Sequence, residues 1–312
     1  MKQPHKPSIA VLIPCQNEQT TIGKVVDDFR RQLPSATIYV FDNCSTDASA
    51  AIAAKHGAVV IKEPRQGKGF VVESMFDRID ADFYVMVDGD DTYPADYVHK
   101  LLEPVLCGDA DMSVGSRLSD YSGKSFRPLH VLGNNLVRFL VNWAAKTQLT
   151  DILSGYRVFN HRVVKYIPVL SSGFEVETEM TIQTLYYRLK IVEVSIPYQA
   201  RPTGSESKLR TFSDGFRVLW KIFSLFRSFK PLTFFGGLGL LFLILGILAG
   251  IPPVHDYLTN PNHYVHHVPL AILAVGLVIL SGIFTFLGIL LHSLNWRFKE
   301  LHNVLTRKAM SD

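Results

Sequence analysis

Phe83-Tyr84-Val85-Met86-Val87-Asp88-Gly89-Asp90-Asp91 sets five apolar residues against three carboxylates in the next four positions. A short apolar run of this composition reads as a buried strand, and the acidic residues fall at its carboxyl end. Side chains so close in sequence repel one another unless a hard divalent ion such as Mg²⁺ or Mn²⁺ is shared with the phosphate oxygens of a ligand. A nucleotide diphosphate is the expected ligand. Two other readings fit the same residues. Asp88-x-Asp90-x-Thr92 matches an aspartyl-phosphate phosphatase pattern, and a solvated turn before a helix opening at Pro94 needs no ligand at all.

Outward from this segment, short apolar runs alternate with helical patterns. Ser8-Ile13, Thr37-Phe41, Ala58-Ile61, Phe83-Val87 and Met112-Val114 read as strands. Ile22, Val25, Val26, Phe29 and Leu33, and later Val72, Met75, Phe76 and Ile79, follow the 3.6-residue period, so each helix can lay one face on a sheet. The expected fold is α/β, a mostly parallel, doubly wound sheet in one cytosolic domain over residues 1–209. Ligands of such sheets bind beyond the strands' carboxyl ends. Polar clusters stand there: Pro14-Cys15-Gln16-Asn17-Glu18, Asp42-Asn43-Cys44-Ser45-Thr46-Asp47 and Asp88 to Thr92.

The chain has 312 residues, 47% of them hydrophobic and 19% charged, which exceeds what one soluble domain needs. Two uncharged stretches, 232–251 and 268–291, are long enough to cross about 30 Å of hydrocarbon as helices within a region 231–295. Lys221, Arg227 and Lys230 precede the first, Arg297, Lys299, Arg307 and Lys308 follow the second, and Pro252 to His267 holds neither Lys nor Arg. The positive-inside rule then puts both ends, including the tail 296–312, in the cytosol of an integral membrane protein. Ile9 to Ile13 is too short for the core of a secretory signal. Over 210–230, Phe212, Phe216, Leu219, Phe223 and Phe226 fall at helical spacing, which suits an amphipathic helix in the membrane interface or a buried core helix. Cys15, Cys44 and Cys107 lack metal-ligand spacing and are read as packing residues. A net charge of +4, with basic residues crowding the membrane-proximal end, implies anionic lipid and no nucleic acid.

Taken in order, Pro14-x-x-Asn17-Glu18, Asp42-Asn43-x-Ser45-Thr46-Asp47, Gly67-Lys68-Gly69, Asp88-x-Asp90 and Asp151-x-x-Ser154-Gly155-x-Arg157 resemble family 2 glycosyltransferases. The chain more narrowly resembles the polyprenyl-phosphate hexosyltransferases, the bactoprenol glucosyltransferase branch of the dolichol-phosphate mannosyltransferase-like enzymes, a resemblance that would place it in the bacterial inner membrane. The resemblance implies a GT-A type domain in which Pro14, Asn17, Glu18 and Asp42 form the nucleotide pocket and Lys68 approaches a phosphate. It implies that Asp88 and Asp90 hold Mg²⁺ or Mn²⁺, with Asp88 on the nucleotide side and Asp90 catalytic. Relatives of the dolichol type often carry Gln where this chain has Thr92, which leaves a third ligand open. On the acceptor side Arg117, Arg127, Arg201, Asn134, Ser205 and Lys208 are the candidates for a lipid phosphate, since the arginine fork holds two oxygens at once. Pro197 to Leu209 is a polar segment that would order around substrate. Asp151 stands where the family places a base. A phosphate monoester is already largely ionised at neutral pH, so positioning of nearby Arg or Lys is the role expected of Asp151. Glu175, Glu177 and Glu179 open a helix that the family uses near the sugar, or complement the helix dipole.

The implied reaction is inverting transfer of a hexose, by branch glucose from a uridine diphosphate sugar, to undecaprenyl or another polyprenyl phosphate at the cytoplasmic membrane face. A phosphatase would place its aspartate pair after the first strand of its domain, whereas here the pair follows the fourth. A non-catalytic nucleotide-binding membrane scaffold is the remaining alternative. Gly246-x-x-x-Gly250 offers a surface for close helix approach and hence for a homo-oligomer.

Overall fold

Along the first strand, Ile9–Cys15 (β1), Val11, Ile13 and Cys15 enter one core while Ala10 and Leu12 enter another. This is the period of two of an extended chain buried on both faces. The computed structural model describes residues 7–117, 138–139, 141–142, 147–199, 202, 220 and 223–309. The chain divides into two units, Met1–Ile222 and Phe223–Asp312.

In the first unit β1 is followed by α1 (Ile22–Gln32), β2 (Thr37–Asp42), α2 (Ser49–Lys55), β3 (Val59–Lys62), α3 (Lys68–Arg78) and β4 (Phe83–Met86). A 3-10 turn at Ala95–Tyr97 leads into α4 (Val98–Leu106), and then come β5 (Met112–Ser116), β6 (Arg157–Asn160), α5 (His161–Tyr166), α6 (Val176–Tyr186) and β7 (Ile191–Ser195). One face of the sheet packs against Val25, Val26 and Phe29 of α1 and Leu101, Leu102 and Val105 of α4. The other packs against Val72, Met75 and Phe76 of α3, Val163 of α5 and Met180 of α6. Fully burying each such side chain contributes about 1.5–3 kcal/mol, which is what holds helices on both faces.

Among the described residues the sheet has seven strands, in the order β3-β2-β1-β4-β6-β5-β7. β1 pairs in parallel with β2 and β4, β2 with β3, and β5 with β7; β6 alone runs antiparallel to both of its neighbours. The mostly parallel, doubly wound sheet expected from the sequence is therefore present, with two strands more than the apolar runs disclosed. Because β6 is reversed, the segment leading into it lies at the same edge as the carboxyl ends of β1, β2, β4 and β5. The order changes direction between β1 and β4, and there the crevice of an open α/β sheet forms.

In the second unit a short helical stretch at 223–229 precedes two long helices, α7 (Pro231–Thr259) and α8 (Val268–Ala309). The rings of Phe223 and Phe226 meet Phe234 at 5.1 and 6.1 Å. Both long helices are apolar enough to cross a membrane, over Pro231–Thr259 and Val268–Leu301. The connection is shorter than expected, 260–267, because α7 continues through Pro252 and Pro253. Gly246 does not present an open surface. A Cβ there would lie 3.0 Å from Val278 Cγ2 and 3.2 Å from the Ala274 carbonyl oxygen, so this glycine serves packing of α7 on α8 within one chain.

Candidate active site

The loops after β1 and β2 are knitted by short polar side chains. Asn17, at a left-handed φ of 51°, donates its backbone N–H to Ser45 Oγ at 3.0 Å, and its Oδ1 accepts from the Thr46 N–H at 2.7 Å. Asp47, one residue before the N-cap Ala48, accepts from the Gln19 N–H and from both the N–H and the hydroxyl of Ser49, so it ties the first residue of α2 to the loop after β1. Asp42, at the end of β2, accepts the Ser45 N–H at 3.3 Å and is 7% exposed, as is Glu18. Pro14 sits beside Gly89 of the loop after β4, since a Cβ on Gly89 would be 3.5 Å from the Pro14 carbonyl oxygen. Four predicted nucleotide residues, Pro14, Asn17, Glu18 and Asp42, therefore share one edge of the sheet.

Gly67-Lys68-Gly69 is bound on both sides. The Gly67 N–H donates to Asn43 Oδ1 at 2.8 Å, and the Gly69 N–H donates to the Ser172 carbonyl at 3.1 Å. A Cβ on Gly69 would overlap the Ser171 carbonyl oxygen, so the glycine is required by close approach of backbone rather than by flexibility alone. Lys68 Nζ lies 2.5 Å from Asp88 Oδ1 and 2.6 Å from Glu177 Oε1. Burial opposes the Lys68 charge, but these two carboxylates outweigh it and hold the ammonium well above its ordinary range.

The three aspartates after β4 part company. Asp91, at φ 57°, turns to α1, where Lys24 Nζ donates to its Oδ1 at 2.6 Å. Asp90 is 4% exposed and accepts the Thr92 hydroxyl at 2.6 Å. Thr92 thus orients Asp90, which is the use this chain makes of the position where relatives often have Gln. Asp88 faces Lys68 on one side and Gly155 on the other, where an added Cβ would lie 3.0 Å from Asp88 Oδ1. The acidic pile is relieved as folded, Asp91 by Lys24 and Asp88 by Lys68, while Asp90 is buried against Thr92.

Gly155 carries the second half of the site to the first. Its N–H donates to Tyr93 Oη at 3.0 Å. Four residues earlier Asp151, 1% exposed, takes a bidentate fork from Arg117: Nε to Oδ2 at 2.7 Å and Nη2 to Oδ1 at 2.9 Å. Burial raises the Asp151 pKa and Arg117 more than reverses this, so the carboxyl is held below the ordinary carboxylate range. A carboxylate so held is a poor base and a good anchor. Arg157, the last residue of the motif, is wholly buried and fastens the loop, donating to the carbonyls of Ser154 and Ile152 and to Thr181 Oγ1. Its burial pulls its pKa down to about 10.

The three glutamates of α6 separate. Glu177 is the one beside Lys68, and its Oε2 is buried without a hydrogen-bond partner among the described residues. Glu179 accepts the N–H groups of Leu170 and Ser171, and Glu175 accepts that of Gly173. Of the acceptor candidates Arg117 lies at the site, with its Nε–Nη2 edge committed to Asp151. Arg127, Asn134, Arg201, Ser205 and Lys208 lie outside the described residues. Sequence reasoning missed Glu193 of β7, whose carboxylate accepts the N–H groups of Thr150 and Asp151 at 2.8 Å. An acid alternating with valines in Ile191-Val-Glu-Val-Ser was the available signal. Tyr93 and Tyr198 were missed as well, although both are aromatic residues in otherwise polar loops.

Among the described residues no group of three or more His, Cys, Asp and Glu side chains is gathered to hold a metal ion on its own. Asp88 and Asp90 nevertheless supply hard carboxylate oxygens. Mg²⁺ is commonly held by one or two carboxylates with substrate phosphates and water completing the shell, so this donor set fits a half-site finished by a diphosphate.

The family model described as Glycosyl transferase family 2 matches residues 10–167. Glycosyltransferase AglJ of Haloferax volcanii is 28% identical over 288 residues, covering 92% of this chain and 93% of that protein. The dolichyl-phosphate hexose transferase of the same organism is 30% identical over 207 residues, 66% of this chain and 89% of that protein. Among solved structures, glucosyl-3-phosphoglycerate synthase from Mycobacterium tuberculosis, in complex with Mn²⁺, uridine-diphosphate-glucose and phosphoglyceric acid, superposes with a TM-score of 0.59. It is 21% identical and the match covers 70% of this chain and 79% of that one, so it shows the shared fold.

Proposed function

Since this chain belongs to glycosyl transferase family 2 and is a hexosyltransferase related to polyprenyl-phosphate sugar transferases, we propose that it moves glucose from uridine diphosphate glucose to undecaprenyl or another polyprenyl phosphate, with inversion, at the cytoplasmic face of a membrane. The observation that carries the reading is the meeting of two half-sites at Gly155. On one side stand Asp88, Asp90 and Lys68, and on the other the Arg117–Asp151 pair. A transferase with two anionic substrates needs two such halves, and two apolar helices in the same chain suit a lipid acceptor.

Asn17, Glu18 and Asp42 would hold the base and ribose, where an acceptor-only carboxylate suits sugar hydroxyls. Asp88 and Asp90 would hold Mg²⁺ or Mn²⁺, and that ion would act as Lewis acid for the departing diphosphate. Lys68 would lend its ammonium to the same phosphates, while Glu177 balances it from below. Arg117, steered by Asp151, would orient the acceptor monoester, together with Arg127, Asn134, Arg201, Ser205 and Lys208 of the acceptor segment. In the step itself an ionised phosphate oxygen forms a bond to the anomeric carbon as the bond to the diphosphate oxygen breaks, and the electron pair leaves with the nucleotide. No proton need be removed from the acceptor, which matches an Asp151 held ionised by Arg117. The Mn²⁺ and uridine-diphosphate-glucose complex of the structural relative supports the donor and metal assignments as an analogy of fold.

Purified full-length protein given radiolabelled uridine diphosphate glucose, undecaprenyl phosphate and Mg²⁺ or Mn²⁺ should yield glucosyl lipid of inverted anomeric configuration. Failure to label lipid from any common nucleotide hexose would sink the proposal. Label from another hexose would correct the sugar and leave the rest standing.

A further inference from the structure

The segment after β7 touches both halves of the site. The Ile196 N–H donates to the Ser116 carbonyl and the Gln199 N–H to the Thr92 carbonyl, each at 3.0 Å. Between them Tyr198 places its ring 5.4 Å from the Arg117 guanidinium carbon and 5.6 Å from the centre of the Tyr93 ring. Tyr93 in turn receives the Gly155 N–H, and Arg117 forks onto Asp151. A guanidinium has an edge and a face, and here both are held: Asp151 takes the edge and Tyr198 covers a face. Two of the five N–H groups are spent on Asp151, and clamping the plane fixes the direction of the remaining three.

From this geometry we infer that Tyr198 is a positioning residue for the acceptor phosphate monoester, acting through Arg117. The inference rests on the proposed role of Arg117 as an acceptor-phosphate ligand. An aromatic face over a guanidinium attracts it without taking any hydrogen-bond capacity, so Arg117 keeps its donors for the ligand while losing rotational freedom. The ring's contact with Tyr93 adds a second consequence. Tyr93 is one residue from Thr92, which orients Asp90, so the acceptor-side arginine and the donor-side aspartate are referred to a common aromatic pair.

The test uses full-length wild type, Tyr198→Phe, Tyr198→Leu and Tyr198→Ala. Binding of farnesyl phosphate, a short prenyl monophosphate, is measured by calorimetry alongside the two KM values of transfer. Tyr198→Phe keeps the face and should match wild type within about twofold. Tyr198→Ala should weaken farnesyl phosphate binding and raise the acceptor KM about 5–10-fold, the size of one partly desolvated cation–π contact, with the donor KM unchanged. Tyr198→Leu, which keeps bulk without a ring quadrupole, should fall with alanine. The inference is overturned if farnesyl phosphate binds wild type and Tyr198→Ala alike, if it binds neither, if leucine restores what phenylalanine restores, or if both KM values move together. Binding that follows the expected order, in a protein that transfers no hexose, would retain Tyr198 as a positioning residue and overturn the transferase assignment instead.

Discussion

Lys68 stands between Asp88 and Glu177, lying within 2.6 Å of both carboxylates while itself largely buried. Lys68→Met keeps the bulk of the stem and removes the charge, so Asp88 and Glu177 face each other uncompensated. A loss of about 3–5 kcal/mol in urea unfolding is expected, as for other buried pairs broken on one side. Asp151→Asn makes the mirror case by stranding Arg117, with a loss of similar size. Its pH dependence has a definite sign. Because Arg117 depresses the folded-state pKa of Asp151, the pairing contributes fully above the unfolded value near 3.8 and is lost as pH falls through the lower folded value. The stability gap between wild type and Asp151→Asn should therefore be flat above about pH 5 and close below about pH 4. If Asp151 instead served as the base, the acid limb of the transfer rate would move in the variant. A positioning role predicts a lower rate on an unmoved limb.

At the scale of elements, β3 and α3 are joined by a turn that glycine and a salt bridge hold together. Gly69→Ala forces a methyl into the Ser171 carbonyl, and about 2–4 kcal/mol of destabilisation, with a raised nucleotide-sugar KM, should follow. Glu63, at the exit of β3, accepts Arg65 Nε at 2.9 Å, and that bond lowers its pKa to about 2. Its contribution is whole above about pH 4.5 and drains away between there and about pH 2, so Glu63→Gln should lose its stability deficit over that window. Legibility of the elements followed the same physics. β1, β2, β4 and β5 announce themselves as apolar runs because both of their faces are largely buried, whereas β3, an edge strand with Val59 47% exposed, is legible from its β-branched residues. β6 hides in Arg157-Val-Phe-Asn because a buried arginine looks like a surface residue until Ser154, Ile152 and Thr181 are brought to it. β7 hides because Glu193 reads as solvated, and only the fold shows it gripping Thr150 and Asp151. That Asp88, Asp42 and Asn17 would stand at one edge of the sheet was legible because they follow the carboxyl ends of parallel strands, whereas Lys68 was singled out only by the family resemblance. The pairing of Arg117 with Asp151, 34 residues apart, was not written in either local segment.

For the whole molecule, α8 is the measure. At about 1.5 Å per residue its 42 residues run about 63 Å, about twice the thickness of a bilayer's hydrocarbon layer and so longer than one crossing needs. With Arg227, Lys230, Arg297 and Lys299 flanking the spans, the 260–267 connection is predicted on the outer side. An Asn262→Cys variant lacking the exposed thiols, Cys44→Ser and Cys107→Ser, should react with a membrane-impermeant maleimide on intact cells. Reaction only after lysis would reverse the topology. One further consequence comes from the single reversed strand, β6. It hands over its front end where every neighbour hands over its tail, so Asp151 and Gly155 reach the edge that holds Asp42, Asp88 and Arg117 from a stretch of chain running the other way. On the proposed roles, selection could retool what receives the sugar without rewriting what delivers it, and the two stretches would be free to diverge at different speeds.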